Sequence, residues 1–160
     1  MANYSFREDL SEGKEGEDFV INHLKKLGGE LISKNDDNRY DAIIRRKGKN
    51  IKYEIKTDLF CKPTWDTGNI FVEVQCRGKK SGIMVSEAEW FVTYFINLNE
   101  IWYIRKNKLL DIIEKYKQNF IFKDNAGDPA SETKGWMVPR YKFTKDFLVY
   151  NSNTLQRIQP

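Results

Sequence analysis

The sequence predicts one α/β or α+β domain, and the alternation of helical and strand-like segments along the chain favours α/β. The chain has 160 residues, of which 40% are hydrophobic and 14% aromatic. This is enough material for one sizeable core and too little for two ordinary domains. Residues 1–160 are therefore expected to form a single domain.

The first predicted element is a helix from about Ser11 to Leu27, which ends at the Gly28-Gly29 pair. Glu17 lies one turn before the apolar residues of this helix and on the same stripe. A carboxylate in that position must reach solvent or find a cation, although a simple acid favoured by the helix dipole is the alternative. The apolar stripe consists of Val20, Ile21, Leu24 and Leu27.

After a short predicted strand at Glu30–Ser33, the chain is expected to form a β-hairpin from Arg39–Arg46 and Ile51–Thr57. If Gly48-Lys49 is the two-residue loop, Asp41 lies opposite Lys56 and is a diagonal neighbour of Glu54, roughly 7 to 8 Å away. A turn one residue longer would move Asp41 to the other face.

Strand alternation puts Glu54 and Lys56 on one face of the hairpin and Ile55 on the other. Two inward-leaning carboxylates, Asp41 and Glu54, can then close around a divalent cation. The same face would present a lysine beside them.

Ile70–Cys76 is predicted as the next strand of this set, with Glu73 and Gln75 either in the outer part of the site or on a solvent face. The loop Asp58–Asn69 precedes it. Trp65 in that loop can stack on a nucleic-acid base or cover the core.

The segment Ser86-Glu87-Ala88-Glu89 has the form of a capping box, and Val85 with Trp90 has the spacing of a hydrophobic staple. These signals predict a second helix that runs to about Ile96. The remaining predicted elements are a strand at Ile101–Arg105, a helix at Lys108–Lys117, a loop at Asp124–Lys134, and short strands at Trp136–Phe143 and Phe147–Tyr150.

The metal-ligating residue types favour a hard cation. Cys61, Cys76 and His23 are the only cysteine and histidine residues and lie far apart in sequence, which makes Zn²⁺ improbable and Mg²⁺ or Mn²⁺ the better fit. With two cysteines, no signal peptide and no apolar run of membrane-span length, we expect a soluble protein of a reducing compartment such as the cytoplasm.

Positive charge is clustered, although the net charge is only +4. Residues 45–56 contain six Lys/Arg and a single acid, Glu54, and a second cluster follows at residues 77–80. Such clusters are typical of polyanion binding, while an ordinary solvated surface is the alternative. The residues expected to contact nucleic acid are Arg45, Arg46, Lys47, Lys49, Lys52, Trp65, Arg77, Lys79 and Lys80.

Gly13-x-x-Gly16-Glu17, Tyr40-Asp41-Ala42-Ile43 and Tyr53-Glu54-Ile55-Lys56 occur in this order. The chain thereby resembles the PD-(D/E)XK nuclease superfamily, and within it the Holliday junction resolvases and related small phage and archaeal nucleases. The resemblance covers about residues 11–105, with Tyr40 where the superfamily often has proline. It implies a restriction-endonuclease-like core with the order αβββαβ, a central mixed β-sheet flanked by helices, extended by the last third of the chain.

By this resemblance, Asp41 and Glu54, with the carbonyl of Ile55, would hold the catalytic Mg²⁺ or Mn²⁺. Glu17 would ligate a second ion or a metal-bound water. Lys56 would position or help deprotonate the attacking water and stabilise the phosphorane. The resemblance implies no small-molecule cofactor, and it implies the cytoplasm of a bacterial, archaeal or phage-infected host cell.

The function expected is a metal-dependent endonuclease that cleaves branched or duplex DNA, and two-fold cutting of a junction would require a homodimer. Three alternatives remain open. They are an exonuclease, nickase or restriction-type enzyme of the same fold, a non-catalytic nucleic-acid-binding module, and a basic protein-interaction domain.

Overall fold

The computed structural model describes residues 6–35, 37, 39–126, 130 and 132–159, with side chains from residue 12 onward. The first helix, α1 (Phe6–Lys26), confirms the predicted helix and starts earlier. The other α-helix, α2 (Lys106–Tyr116), buries Leu109, Ile112 and Ile113 as its amphipathic pattern predicts. The strands are β1 (Glu30–Lys34), β2 (Ala42–Arg46), β3 (Lys49–Asp58), β4 (Asn69–Cys76), β5 (Lys79–Lys80), β6 (Trp90–Phe95), β7 (Glu100–Arg105), β8 (Ile121–Lys123), β9 (Lys134–Pro139), β10 (Leu148–Asn151) and β11 (Arg157–Ile158).

The strands form two sheets. The large one has seven strands in the order β1-β2-β3-β6-β7-β10-β11, and the small one has the order β5-β4-β9-β8. In the large sheet β3 and β6 run parallel, and its other described pairs are antiparallel. The fold is therefore α/β with a mixed sheet.

Each face of the large sheet has its own hydrophobic core. Helix α1 covers one face, where Val20 and Leu24 pack against residues of β2, β3, β6 and β7. Helix α2 and the small sheet cover the other face, where Leu109 and Val72 pack around Trp102. The large sheet thus lies between two layers, and both side-chain sets of its central strands are buried.

The predicted second helix at Ser86–Ile96 is wrong, since its C-terminal half is the central strand β6. The hydroxyl of Ser86 accepts a hydrogen bond from the Ala88 N–H at 3.1 Å, which is a local turn and no helix cap. The Glu89 N–H donates to the Lys52 carbonyl at 2.9 Å. Aromatic and β-branched residues fit a two-sided buried strand, and pairing with β3 and β7 overrides the capping signal.

The strand predicted at Ile70–Cys76 exists as β4 but belongs to the small sheet. The strand that pairs with β3 at this position is β6, and β6 does not pair with β4. The chain crosses from β3 to its parallel partner β6 through β4, β5 and a 3₁₀ turn at Gly82–Met84. A β-hairpin therefore provides the crossover for which a helix was predicted.

Predictions for the last third are confirmed in part. The strand predicted at Trp136–Phe143 ends at Pro139, and Arg140–Asp146 is 3₁₀-helical. The second predicted strand is present as β10, and it pairs with β7 in the large sheet. The predicted loop Asp124–Lys134 includes residues 127–129 and 131, which lie outside the described part.

No helix in the described ranges is long and apolar enough to cross a membrane. Cys61 and Cys76 form no disulfide in the part of the chain that the structure describes.

His23 is buried on α1, with 3% of its surface exposed. Its Nδ1 lies 2.8 Å from the hydroxyl of Tyr103, and its ring packs edge-on against Tyr150 at 5.2 Å between centroids. Burial, and then the charges of Lys26 and Arg46, lower the pKa of His23 to about 4. The imidazole is therefore neutral in the folded protein at mildly acidic pH.

We expect acid to destabilise the protein through this group. Below about pH 6.5 the unfolded chain binds a proton at His23, whereas the folded chain binds it only near pH 4. The free energy of unfolding therefore decreases as the pH is lowered from about 6.5 to about 4. The chain has one histidine, so a single imidazole Cε1–H signal in a proton NMR titration reports it. A midpoint near 4 is expected for the folded protein, and a midpoint of 6 or higher would contradict the burial.

Candidate functional site

The turn between β2 and β3 is Lys47-Gly48, with φ angles of 49° and 77°, as a two-residue type I′ turn requires. The predicted Gly48-Lys49 loop is therefore wrong. Arg46 pairs with Lys49, and Ala42 is the last residue of the register, opposite Tyr53. The shift moves every pairing by two residues, so the side-chain faces are unchanged. The register ends at Ala42, so the diagonal relation predicted between Asp41 and Glu54 is replaced by contacts of Asp41 with Tyr53 and Ile55.

Asp41 lies just where the ladder breaks. Its N–H donates to the Tyr53 carbonyl at 2.9 Å, and its Oδ2 accepts a hydrogen bond from the Ile55 N–H at 2.6 Å. The carboxylate thus occupies the place of a backbone carbonyl at the end of the ladder. This contact locks the Asp41 side chain against the strand that carries Glu54 and Lys56.

Glu54 and Lys56 share a face of β3, as strand alternation predicts, and their Oε1 and Nζ atoms lie 3.4 Å apart. The Glu54 side chain is 9% exposed, whereas that of Lys56 is 60% exposed. Ile55 points the other way, into the core beneath α1. The carboxylate is therefore held inside the protein while the ammonium can reach a bound molecule.

Gly16 brings Glu17 to this end of the sheet. A Cβ atom at Gly16 would lie 1.9 Å from the Oγ1 of Thr57 on β3, so only glycine lets α1 approach so closely. By contrast, a Cβ at Gly13 would meet nothing within 4 Å. The next residue, Glu17, is consequently close enough to Asp41 and Lys56 for their charges to act on it.

The three carboxyl groups all resist ionisation. Burial, followed by the negative charge of Asp41, raises the pKa of Glu17 to about 7. Burial also raises the pKa of Asp41 and of Glu54, despite the opposing hydrogen bond from Ile55 and the opposing charge of Lys56. Three partly desolvated acids near two lysines, Lys34 and Lys56, form a site that is short of positive charge.

Lys56 responds to the same cluster. Burial opposes its charge, but Glu54, Asp41 and Glu73 outweigh this and raise the pKa of Lys56 above its ordinary value. The ammonium therefore stays charged at neutral pH. Glu73, predicted for the outer part of the site, lies with Lys56 along a pocket between the two sheets.

Gln75, the other outer residue predicted, lies two positions further along β4, where it pairs with Lys80 and Lys134. Two neighbours of the site were missed. The hydroxyl of Ser86 lies 3.5 Å from Oε2 of Glu54, and the charge of Lys34 acts on Glu17 and Asp41. No sequence signal could have found them, since Ser86 imitates a helix cap and Lys34 sits in a polar stretch.

The predicted basic residues divide between the two faces of the large sheet. By strand alternation, Arg45 and Lys52 share the face of Glu54. Arg46 lies on the α1 face, in a pocket with Leu24, Tyr103 and others. Lys47 and Lys49 are exposed at one hairpin tip, and Arg77, Lys79 and Lys80 are exposed at the tip between β4 and β5.

Among the described residues, no group of three or more His, Cys, Asp or Glu side chains is gathered as a ready metal site. The donor chemistry nevertheless fits a hard cation, because Glu17, Asp41 and Glu54 offer only oxygen ligands and each has a raised pKa. One Asp41 oxygen is engaged by Ile55, which leaves the other to face a cation.

No protein-family model, curated protein or solved structure gives a significant match to this chain. What the site can do must therefore be argued from its own residues.

Proposed function

We propose that the protein is a metal-dependent nuclease that hydrolyses phosphodiester bonds of DNA. The observation that carries this proposal is the convergence of Asp41, Glu54 and Lys56 at one end of β3, where the Asp41 carboxylate accepts a hydrogen bond from the Ile55 N–H and Glu54 lies 3.4 Å from Lys56. Glu17 on α1 is near enough for the charges of Asp41 and Lys56 to act on it. A lone Glu-x-Lys would be uninformative in a charged protein, whereas this convergence requires the tertiary fold.

The sheet also supports a restriction-endonuclease-like core. Helix α1 is followed by the antiparallel strands β1, β2 and β3, and the next strand of the large sheet, β6, runs parallel to β3. This resembles the αβββαβ order, but the three strands are β1, β2 and β3, whereas the predicted set ended with Ile70–Cys76, and a β-hairpin stands in place of the crossover helix. The departure leaves the strands that carry the site in their expected order.

Asp41 and Glu54, with the carbonyl of Ile55, would hold Mg²⁺ or Mn²⁺, and Glu17 would complete the site. A bound divalent cation supplies positive charge to the reacting phosphate and favours ionisation of water. Lys56 keeps its proton and donates hydrogen bonds to a phosphate oxygen or to the attacking water. Glu54 and Glu73 orient the Lys56 ammonium, so the donor is in place before substrate arrives.

The basic tips would track the phosphate backbone on either side of the site. Arg45 and Lys52 share the face of the site residues, and the exposed Arg77–Lys80 tip ends the strand that carries Glu73. Contacts of this kind give strong salt dependence and little sequence readout.

The test is cleavage of labelled four-way junction, flap, duplex and single-stranded DNA at low salt. Wild-type protein is expected to cut at least one of these with Mg²⁺ or Mn²⁺, and EDTA is expected to stop it. Glu54→Gln keeps the shape of the side chain, removes its charge and should abolish cutting. Glu30→Gln is the matched control, because Glu30 is an exposed acid on β1, and it should cut like wild type.

Wild-type protein that binds these DNAs and cuts none of them would refute the nuclease proposal. The non-catalytic nucleic-acid-binding module would then be the better reading, and the lack of a ready three-ligand group among the described side chains favours it as the second candidate. Products released only from DNA ends would instead identify an exonuclease of the same fold.

A further inference from the structure

The loop between β3 and β4 is rigidly built at its first end. Oδ1 of Asp58 accepts hydrogen bonds from the N–H groups of Phe60 and Cys61 at 2.9 and 2.8 Å. Cys61 is buried, and the Asn97 side chain donates to the Leu59 carbonyl at 2.8 Å. The backbone around Phe60 is therefore held in one conformation.

The second end of this loop is anchored by a buried arginine. Oδ2 of Asp66 lies 2.6 Å from the guanidinium of Arg140 and accepts a hydrogen bond from the Tyr141 hydroxyl at 2.8 Å. The backbone N–H of Arg140 donates a hydrogen bond to the Gly68 carbonyl at 2.9 Å. These contacts hold the backbone next to Trp65 in place.

This rigid frame presents its aromatic rings to solvent. Phe60 is 68% exposed and Trp65 57%, and Trp65 is the most exposed of the four tryptophans. We call Phe60 and Trp65 the aromatic platform. Rings that are held in place with open faces are suited to stacking, because little conformational freedom remains to be lost on binding.

A cation accompanies the tryptophan. Lys62 and Trp65 form an antiparallel bridge, with N···O distances of 3.1 and 2.9 Å, and residues directly opposite in such a bridge point to the same side. An exposed ring beside an exposed ammonium matches a base and its phosphate. This pairing favours a nucleic acid over an apolar protein surface as the occupant.

The platform begins only a few residues along the chain from the proposed catalytic residues. Phe60 follows Lys56 by four residues, a reach of at most about 14 Å of chain. Consecutive nucleotides of an extended strand would span that distance in two or three steps. A strand crossing the site could therefore lay bases on the platform.

We propose that the aromatic platform stacks unpaired bases, so that the substrate class of the site is nucleic acid with a single-stranded segment beside the cleaved bond. The claim that this nucleic acid is a substrate rests on the proposed nuclease function. The claim that the platform stacks unpaired bases does not. Blunt duplex, whose bases are already stacked, should gain nothing from the platform.

The experiment measures binding of a fluorescein-labelled 12-nucleotide single strand and of a blunt duplex by anisotropy, in EDTA and at low salt. Trp65→Leu should weaken binding of the single strand roughly 5- to 100-fold and leave the duplex affinity unchanged. Trp65→Phe should keep most of the affinity, since it keeps a ring. Phe122→Leu is the control, because Phe122 is a partly exposed aromatic on the edge strand β8, and it should bind like wild type.

Equal loss of single-strand and duplex affinity in Trp65→Leu, or no loss at all, would overturn the platform. So would a concentration-dependent dimer in sedimentation that Trp65→Leu dissolves, because the platform would then be a contact between copies of the chain. Failure of the proposed function looks different. If wild type cuts nothing while Trp65→Leu selectively loses the single strand, the nuclease proposal fails and the platform stands as a binding site.

Discussion

Replacing Arg140 with methionine is expected to lower the free energy of unfolding by about 3 to 5 kcal/mol. The side chain is 0% exposed, pairs with Asp66 at 2.6 Å and donates to the Asn69 carbonyl at 3.2 Å. Its guanidinium also lies 4.3 Å from the ring centroid of Phe95. Methionine fills much of the volume but leaves the Asp66 carboxylate without its cation.

Chemical denaturation of Arg140→Met, Asp66→Asn, the double variant and one control variant would measure this effect. Arg45→Met removes an exposed arginine from β2 and should change stability by less than about 0.5 kcal/mol. In a double-mutant cycle with Asp66→Asn, the two losses should not add, with a coupling of about 0.5 to 3 kcal/mol. A loss below about 1 kcal/mol in Arg140→Met would show that the Arg140–Asp66 pair contributes little to stability.

Lowering the pH should weaken the interaction between Asp66 and Arg140. Burial opposes ionisation, but hydrogen bonds from Arg140, Gly68 and Tyr141 outweigh it and lower the pKa of Asp66 to about 2. A carboxyl whose pKa is depressed on folding stabilises the protein above its unfolded pKa, and this contribution is lost as the pH falls toward 2. Wild type should therefore lose more stability than Arg140→Met between pH 4 and pH 2.

Gly16→Ala is expected to destabilise the protein by about 1 to 3 kcal/mol and to displace Glu17 from the site. The added Cβ would lie 1.9 Å from Oγ1 and 3.0 Å from Cβ of Thr57, so rotation of the threonine cannot relieve the whole clash. Helix α1 must move away from β3. Thermal unfolding measures the first effect, and the cleavage assay measures the second.

Gly13→Ala is the matched control on the same helix. A Cβ there meets nothing within 4 Å, so the better helix propensity of alanine should stabilise the protein by about 0.5 to 1 kcal/mol. Thr57→Ala should restore part of the stability lost in Gly16→Ala, because it removes the atom of closest approach. Similar effects of the two glycine substitutions would mean that α1 does not need its close approach to β3.

Local patterns carried much of the prediction. The apolar stripe of α1 is buried at Val20, Ile21 and Leu24 as expected. Alternation along β3 separates Glu54 and Lys56 from Ile55. Both results need only the geometry of one element, which neighbouring residues determine.

Predictions failed where distant partners competed with a local signal. The capping box at Ser86 predicts a helix, but Glu89 and the following strand find better partners in Lys52, β3 and β7. Arg140, for which the local sequence predicts no position, is buried because Asp66 and three aromatic rings surround its guanidinium. The residues that neighbour these positions in sequence predict neither outcome.

By itself, the sequence determined that this chain has one mixed α/β architecture, with a glycine-marked helix, a hairpin and an Asp, Glu and Lys in order. It determined these because periodicity and turn chemistry act over a few residues. Only the tertiary structure decided that Glu17 approaches Asp41 across the α1–β3 contact and that β6 lies beside β3. Only the tertiary structure holds the loop of Trp65 in place, through the contact of Arg140 with Asp66. These depend on contacts between residues far apart in the chain, where packing and burial outweigh local preference.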